Sequence, residues 1–197
     1  MWAAIAVGAS ALGTVGLLYA SRGGPGIAGY VSESGVAGAP HALVYRLSLL
    51  VFVVATAAAA LALRDPAPLA ALVLGLAAPC LLVSTTARCS KGCPLPPFQR
   101  PTLGDLIHAG ASISAVGLCA LAMLVAGWRA ADRRVRALSR WSAGFTIPVL
   151  TAMAIGLLTV GHSRFTGVVE RIALVGCLAW LIGISGLGLR GPRVSRV

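Results

Sequence analysis

The sequence predicts an all-α, polytopic integral membrane protein, a six-transmembrane-helix bundle with both termini in the cytoplasm. Three observations predict it. Hydrophobic residues make up 58% of the 197-residue chain and charged residues only 11%, less than half of the roughly 25% usual in soluble domains. Mean hydropathy is +0.91. The apolar residues fall in six stretches long enough to cross a bilayer, each about 20 residues: 2–20, 42–63, 67–87, 106–128, 141–161 and 168–189. A soluble fold of this length has too little interior to hide that much apolar surface. The composition therefore excludes a cytosolic enzyme, a disordered chain and a secreted disulfide scaffold.

The first stretch, 2–20, has no basic segment before it. That favours a retained span over a secretory leader, although Leu18-Tyr19-Ala20 has the small-residue character of a cleavage site. None of the six spans carries a charge in its central third. Arg46 and Arg171 lie near helix starts, where a long side chain reaches the headgroups. Ala, Gly, Leu and Val dominate throughout. Gly183, Ser185, Gly186 and Gly188 in the sixth span read as a close-packing surface. Pro79 and Pro148 are points where spans three and five can break. The whole chain reads as one transmembrane domain. Its two halves of three spans share no motif, so an inverted transporter repeat has little support.

Short connections make neighbouring spans antiparallel. One side then receives Arg64, Arg129, Arg133, Arg134, Arg136, Arg140, Arg190, Arg193 and Arg196. The other receives Arg22, Arg46, Arg88, Lys91, Arg100, Arg164 and Arg171. The 129–140 cluster is densest, which places that side in the cytoplasm of a plasma-membrane protein. The net charge of +11 is thus a topology signal and implies no nucleic-acid partner; the partners implied are the bilayer, a lipid or small-anion ligand, and a membrane protein.

The outer side collects the versatile side chains. His41, His108 and His162, the 3 histidines of the chain, fall there, as do Glu33, Asp105 and Glu170. The even-numbered spans begin at this face and aim their positive dipole ends outward, towards an anionic group. Thr102 and Asp105 match a capping box. Asp105 and His108 share a helix face, continued by Ser112 and Cys119, and are the candidate pair for a catalytic or metal role. Glu170, in the first turn of the sixth span, pairs with Arg46 or Arg171, or touches a ligand. The 21–41 loop is either a flexible connector or a flap that brings Ser32 and Glu33 back over the helix mouths. The ligand-binding candidates are Ser32, Glu33, Arg46, Asp105, His108, Glu170 and Arg171. The metal candidates are Glu33, Asp105, His108 and His162; no cofactor is required by the sequence.

Cys80, Cys119 and Cys177 lie inside spans and read as small packing residues. Cys89 and Cys93 bracket Ser90-Lys91-Gly92 in the outer loop, with Pro94, Pro96 and Pro97 following. They are a disulfide candidate in a compartment that permits one; free thiols are the alternative.

This string from Cys89 to Pro97, followed by Asp105 and His108, resembles the domain of unknown function 998 family of bacterial and archaeal membrane proteins. Ser32-Glu33 and Glu170-Arg171 are similar to that family's pattern as well. The resemblance spans nearly the whole chain and implies the fold and topology, without a reaction. A more distant similarity is to multi-span hydrolases of the alkaline ceramidase type, which hold zinc with His beside Asp and Ser. This chain lacks their late His-x-x-x-His pair. Three functions follow: a non-enzymatic binding protein, a metal-assisted membrane hydrolase, and a small transporter.

Overall fold

A computed structural model describes residues 1–189, and the tail arginines Arg190, Arg193 and Arg196 lie outside the described residues. The described residues form six α-helices: α1 (Trp2–Ser21), α2 (Ala42–Leu63), α3 (Pro68–Thr86), α4 (Leu103–Arg129), α5 (Arg133–Thr159) and α6 (Arg164–Leu189). Each is long and apolar enough to cross a membrane. They run up and down in sequence order, and α6 returns to pack on α1 and closes the ring, with α2 also touching α6.

Large apolar side chains point outward and small ones inward. Leu12, Val15, Leu72, Leu158 and Val175 stand on the outer surface. The buried centre is built of Ala6, Ala55, Ala59, Ala70, Ala122 and Ala126, filled by Leu74, Met123 and Trp180. Lipid tails are as apolar as leucine, so no hydrophobic force draws these helices together. Close backbone approach and van der Waals contact do so instead, and alanine permits them. The indole of Trp180 donates to Ser139 Oγ at 2.9 Å, which satisfies the one polar group this large residue brings inside. The small residues of α6 divide. A Cβ on Gly183 would strike Leu138 at 2.8 Å and one on Gly188 would meet Ala3 at 3.1 Å, whereas Gly186 faces open space.

Three helices depart from the apolar stretches, each for a capping reason. Asp132 caps α5, accepting from Arg134 N at 2.7 Å, so the helix begins eight residues ahead of its apolar run. Ser163 and Thr166 cap α6 reciprocally, Ser163 N donating to Thr166 Oγ1 at 3.0 Å and Thr166 N to Ser163 Oγ at 3.3 Å. The helix therefore starts at Arg164, and Glu170 sits in its second turn and not its first. Thr102 caps α4 at Leu103. Helices α3 and α5 continue unbroken through Pro79 and Pro148.

The loops divide into two ends. One end carries the tight turns after α2 and α4, tied together where Ala131 N donates to Pro66 O at 2.8 Å. The other carries the long segments 22–41 and 87–102 and the short turn 160–163.

Candidate functional site: the capped end of the bundle

The 22–41 segment folds back as a flap over the helix mouths. Two short 3₁₀ turns, Gly26–Ala28 and Val31–Gly35, give it local shape. Neither turn is long enough to hold itself, so its backbone groups need partners from the helices. Acids and arginines supply them. Glu33 Oε1 accepts from Tyr30 N at 2.8 Å, closing the turn, and from His162 Nε2 at 2.6 Å, joining the flap to the α5–α6 turn. Glu170 Oε2 accepts from Val31 N at 2.7 Å. The guanidinium of Arg171 donates to Gly29 O at 2.8 Å, to Gly167 O at 2.7 Å and to Gly26 O. Arg46 Nη2 donates to Gly35 O at 2.9 Å. Acids thus take the flap's N–H groups and arginines its carbonyls.

The ion pair expected of Glu170 with Arg46 or Arg171 is not formed; among the described residues the pairs within bonding reach are His162–Glu33 and Arg64–Asp65. The physical reason is the flap. Its stranded backbone groups compete for the same side chains and lie closer. Gly167 lets the flap approach, because a Cβ there would meet Gly29 O at 2.7 Å and Ile27 O at 2.8 Å. Tyr30, within the flap, is buried and lies edge-on to His162 with ring centroids 4.9 Å apart. Burial pushes its phenol above the ordinary value, the neighbouring Thr166 side chain opposes this, and the charges of Glu170 and Glu33 add to the rise. His41 lies against Tyr19, its ring tilted at 44° with centroids 4.7 Å apart, and takes no part in the cluster.

The 87–102 segment is held from α4. Asp105 is 2% exposed. Its carboxylate accepts from Ser90 N at 2.6 Å, from Ser90 Oγ at 2.9 Å, from Thr102 N at 2.8 Å and from Thr102 Oγ1 at 2.7 Å. In return Asp105 N donates to Thr102 Oγ1 at 3.2 Å, which completes a capping box. His108, one turn on, donates from Nδ1 to Ser84 O at 2.8 Å and lies 3.1 Å from Ala87 O. It thereby closes the carbonyl end of α3, where a positive or donor group suits the dipole. Ser84 Oγ and Ser112 Oγ meet at 2.7 Å beneath it. Cys89 and Cys93 are joined by a disulfide, with Cα atoms 5.0 Å apart. The flap reaches this loop where Ser32 Oγ donates to Cys93 Sγ at 3.3 Å.

The structure therefore gathers Ser32, Glu33, Glu170, Arg171 and His162 around the flap, and Asp105 and His108 around the neighbouring loop. Arg46 holds the flap's far end. Of the metal candidates, Glu33 and His162 touch, while Asp105 and His108 face Ser90 with Thr102 and the end of α3. Among the described residues no three His, Cys, Asp or Glu side chains are placed to share one ion. Tyr30, Ser90 and Thr166 complete the network and were not among the candidates, while Thr102 enters it as the cap its spacing from Asp105 predicts. The Ser163-x-x-Thr166 spacing was the signal for the last of these, since a hydroxyl at the third helical position serves a capping box as Glu does.

Charge at this end is unevenly exposed. Arg22, Arg88, Lys91, Arg100 and Arg164 are exposed, whereas Glu33 and Glu170 are half-buried and Asp105 is buried. No curated protein and no solved structure matches the chain. A family described as "protein of unknown function (DUF998)" matches residues 2–186. With nearly its whole length so matched, including all six helices and both loops of the capped end, the chain belongs to that family.

Proposed function

We propose that this is a non-catalytic plasma-membrane protein whose capped end faces out of the cell as a rigid, basic binding platform. The termini then lie in the cytoplasm. The ligand chemistry is an anionic group, phosphate or carboxylate, carried by a lipid headgroup or a small anion. The observation that carries the reading is the sorting of charge at the capped end. Its three carboxylates are turned inward onto loop backbone and hydroxyls, and its exposed charges are the cations Arg22, Arg88, Lys91, Arg100 and Arg164. Ser32, Glu33, Arg46, Asp105, His108, Glu170 and Arg171 build and stiffen the platform. A pre-formed loop loses little ordering entropy on binding.

The test is glycerol 3-phosphate binding to the detergent-purified full chain, beside a variant carrying Arg88→Gln, Lys91→Gln and Arg100→Gln. A small-anion site predicts binding that weakens about tenfold in the variant. A headgroup site predicts the same loss only when the anion is presented in a bilayer. Equal affinity of wild type and variant in both formats sinks the proposal.

A second reading, metal-assisted hydrolysis, is favoured by one contact, Glu33 against His162 at 2.6 Å. It predicts about one metal ion per purified chain, lost in His162→Ala; an equal metal content in both chains removes it.

A further inference from the structure

The opposite end of the bundle carries a cleft that the capped end does not explain. Helix α5 is the least buried of the six spans. Along the first turns of its exposed face lies an open hollow of about 630 Å³, lined from α5 alone by Arg133, Arg136, Ala137, Arg140, Trp141 and Gly144. No carboxylate lines it among the described residues. Below it lies a second groove of about 340 Å³ between α4 and α5, floored by Leu124, Ile147 and Pro148. Arg140 and Gly144 line both spaces, so the basic cleft runs into the apolar groove. Trp128 and Trp141 flank them, 71% and 80% exposed. Exposed tryptophan marks the level where hydrocarbon meets headgroups.

We infer that this continuous cleft is a binding site for an anionic glycerophospholipid from the adjoining leaflet. Its phosphate would rest among Arg133, Arg136 and Arg140, and an acyl chain would lie in the α4–α5 groove. Charge complementarity and depth commit the surface to a lipid. The cations sit at the helix ends, at headgroup level, and the apolar channel starts where the hydrocarbon does. Arginine clusters between spans at the cytoplasmic face are the chemistry such headgroups select. Two of the three arginines are also held in place. Arg140 Nε donates to Gly127 O at 2.7 Å and Arg136 Nη1 to Ala130 O at 3.2 Å, leaving their other guanidinium nitrogens for phosphate. Arg133 makes no side-chain hydrogen bond to a described residue. Gly144 keeps the groove open, since a Cβ there meets nothing within 4 Å.

The experiment is native mass spectrometry of the detergent-purified full chain with dioleoylphosphatidylglycerol or dioleoylphosphatidylcholine added. We expect the anionic lipid to be retained about tenfold over the zwitterionic one. Arg133→Glu reverses a charge where an acid suits the start of α5, and Gly144→Leu puts an apolar side chain into the groove from a position whose Cβ has open space. Each should cut retention of the anionic lipid about fivefold, with helicity and unfolding temperature unchanged. Should one variant fail to fold, the other decides. Equal retention of the two lipids overturns the inference, as does undiminished retention in the folded variants. Loss of retention in the Arg88, Lys91 and Arg100 variant instead would place the lipid at the capped end. Displacement by millimolar glycerol 3-phosphate would assign the cleft to a free anion.

Discussion

The two ends of this bundle face the same problem with opposite means. Every helix end leaves backbone groups without partners, and loops add more. At the arginine-rich end the connections are a few residues long, and little backbone is stranded. Asp132 caps α5, while Arg136 and Arg140 close the carbonyl end of α4. Arg64, Arg129 and Arg133 stay exposed, and Arg64 with Asp65 makes only a loose pair at 3.8 Å. At the capped end two long segments must be folded against the helix mouths. There the polar side chains are drawn inward, because buried N–H and C=O groups cost more than a surface ion pair returns. Longer loops thus draw in more staples, the carboxylates above all, while Arg22, Arg88, Lys91 and Arg100 stay at the surface of the same segments.

The sharpest way to break this comparison is at Asp105. It accepts hydrogen bonds from both Ser90 and Thr102 while 2% exposed. Asp105→Ala should cost about 3 to 5 kcal/mol, seen as a large drop in the detergent unfolding temperature, with Asp105→Asn falling between. A wild-type unfolding temperature in the alanine variant would show that the capped end is not anchored there. Next is a pair on one helix. Gly167→Ala pushes a methyl against two flap carbonyls, for a loss of about 1 to 3 kcal/mol. Gly186→Ala meets open space and should gain up to about 1 kcal/mol from helix propensity. Equal unfolding shifts for the two would mean the flap does not press on α6.

A smaller, local effect is expected at Glu33. Glu33→Gln weakens two bonds of the flap, at about 1 to 2 kcal/mol together. Amide exchange over 30–36 should quicken while the helices keep their protection. Faster exchange throughout would make the flap part of the global fold and not a separate unit. The smallest change belongs to the other end. Arg136→Gln removes one bond to Ala130 O and should cost about 0.5 kcal/mol, and Arg64→Ala should register nothing by the same unfolding measurement.

The helices were legible in the sequence because a bilayer demands long apolar runs, and α2 matches its run residue for residue. The starts of α5 and α6 were not, since Asp132 and Ser163 extend those helices through polar residues that hydropathy assigns to loops. The residues of the capped end were legible as a group, and the Thr102–Asp105 cap is a matter of spacing within one helix. Partners between elements were not. Spacing gives the face of a helix that a residue occupies, and nothing in it says that Glu170 meets Val31 N rather than a neighbouring arginine.

Composition and spacing alone put six apolar helices in antiparallel order, confine charge to their ends, and let alanine and glycine set how closely they pack. These follow from local composition and period, which a bilayer reads directly. Tertiary structure decided that α6 closes on α1, that the 22–41 segment folds back as a flap, and which atoms hold it. Those outcomes rest on competition between groups far apart in the chain, where buried backbone takes whatever donor or acceptor the folded helices bring within reach.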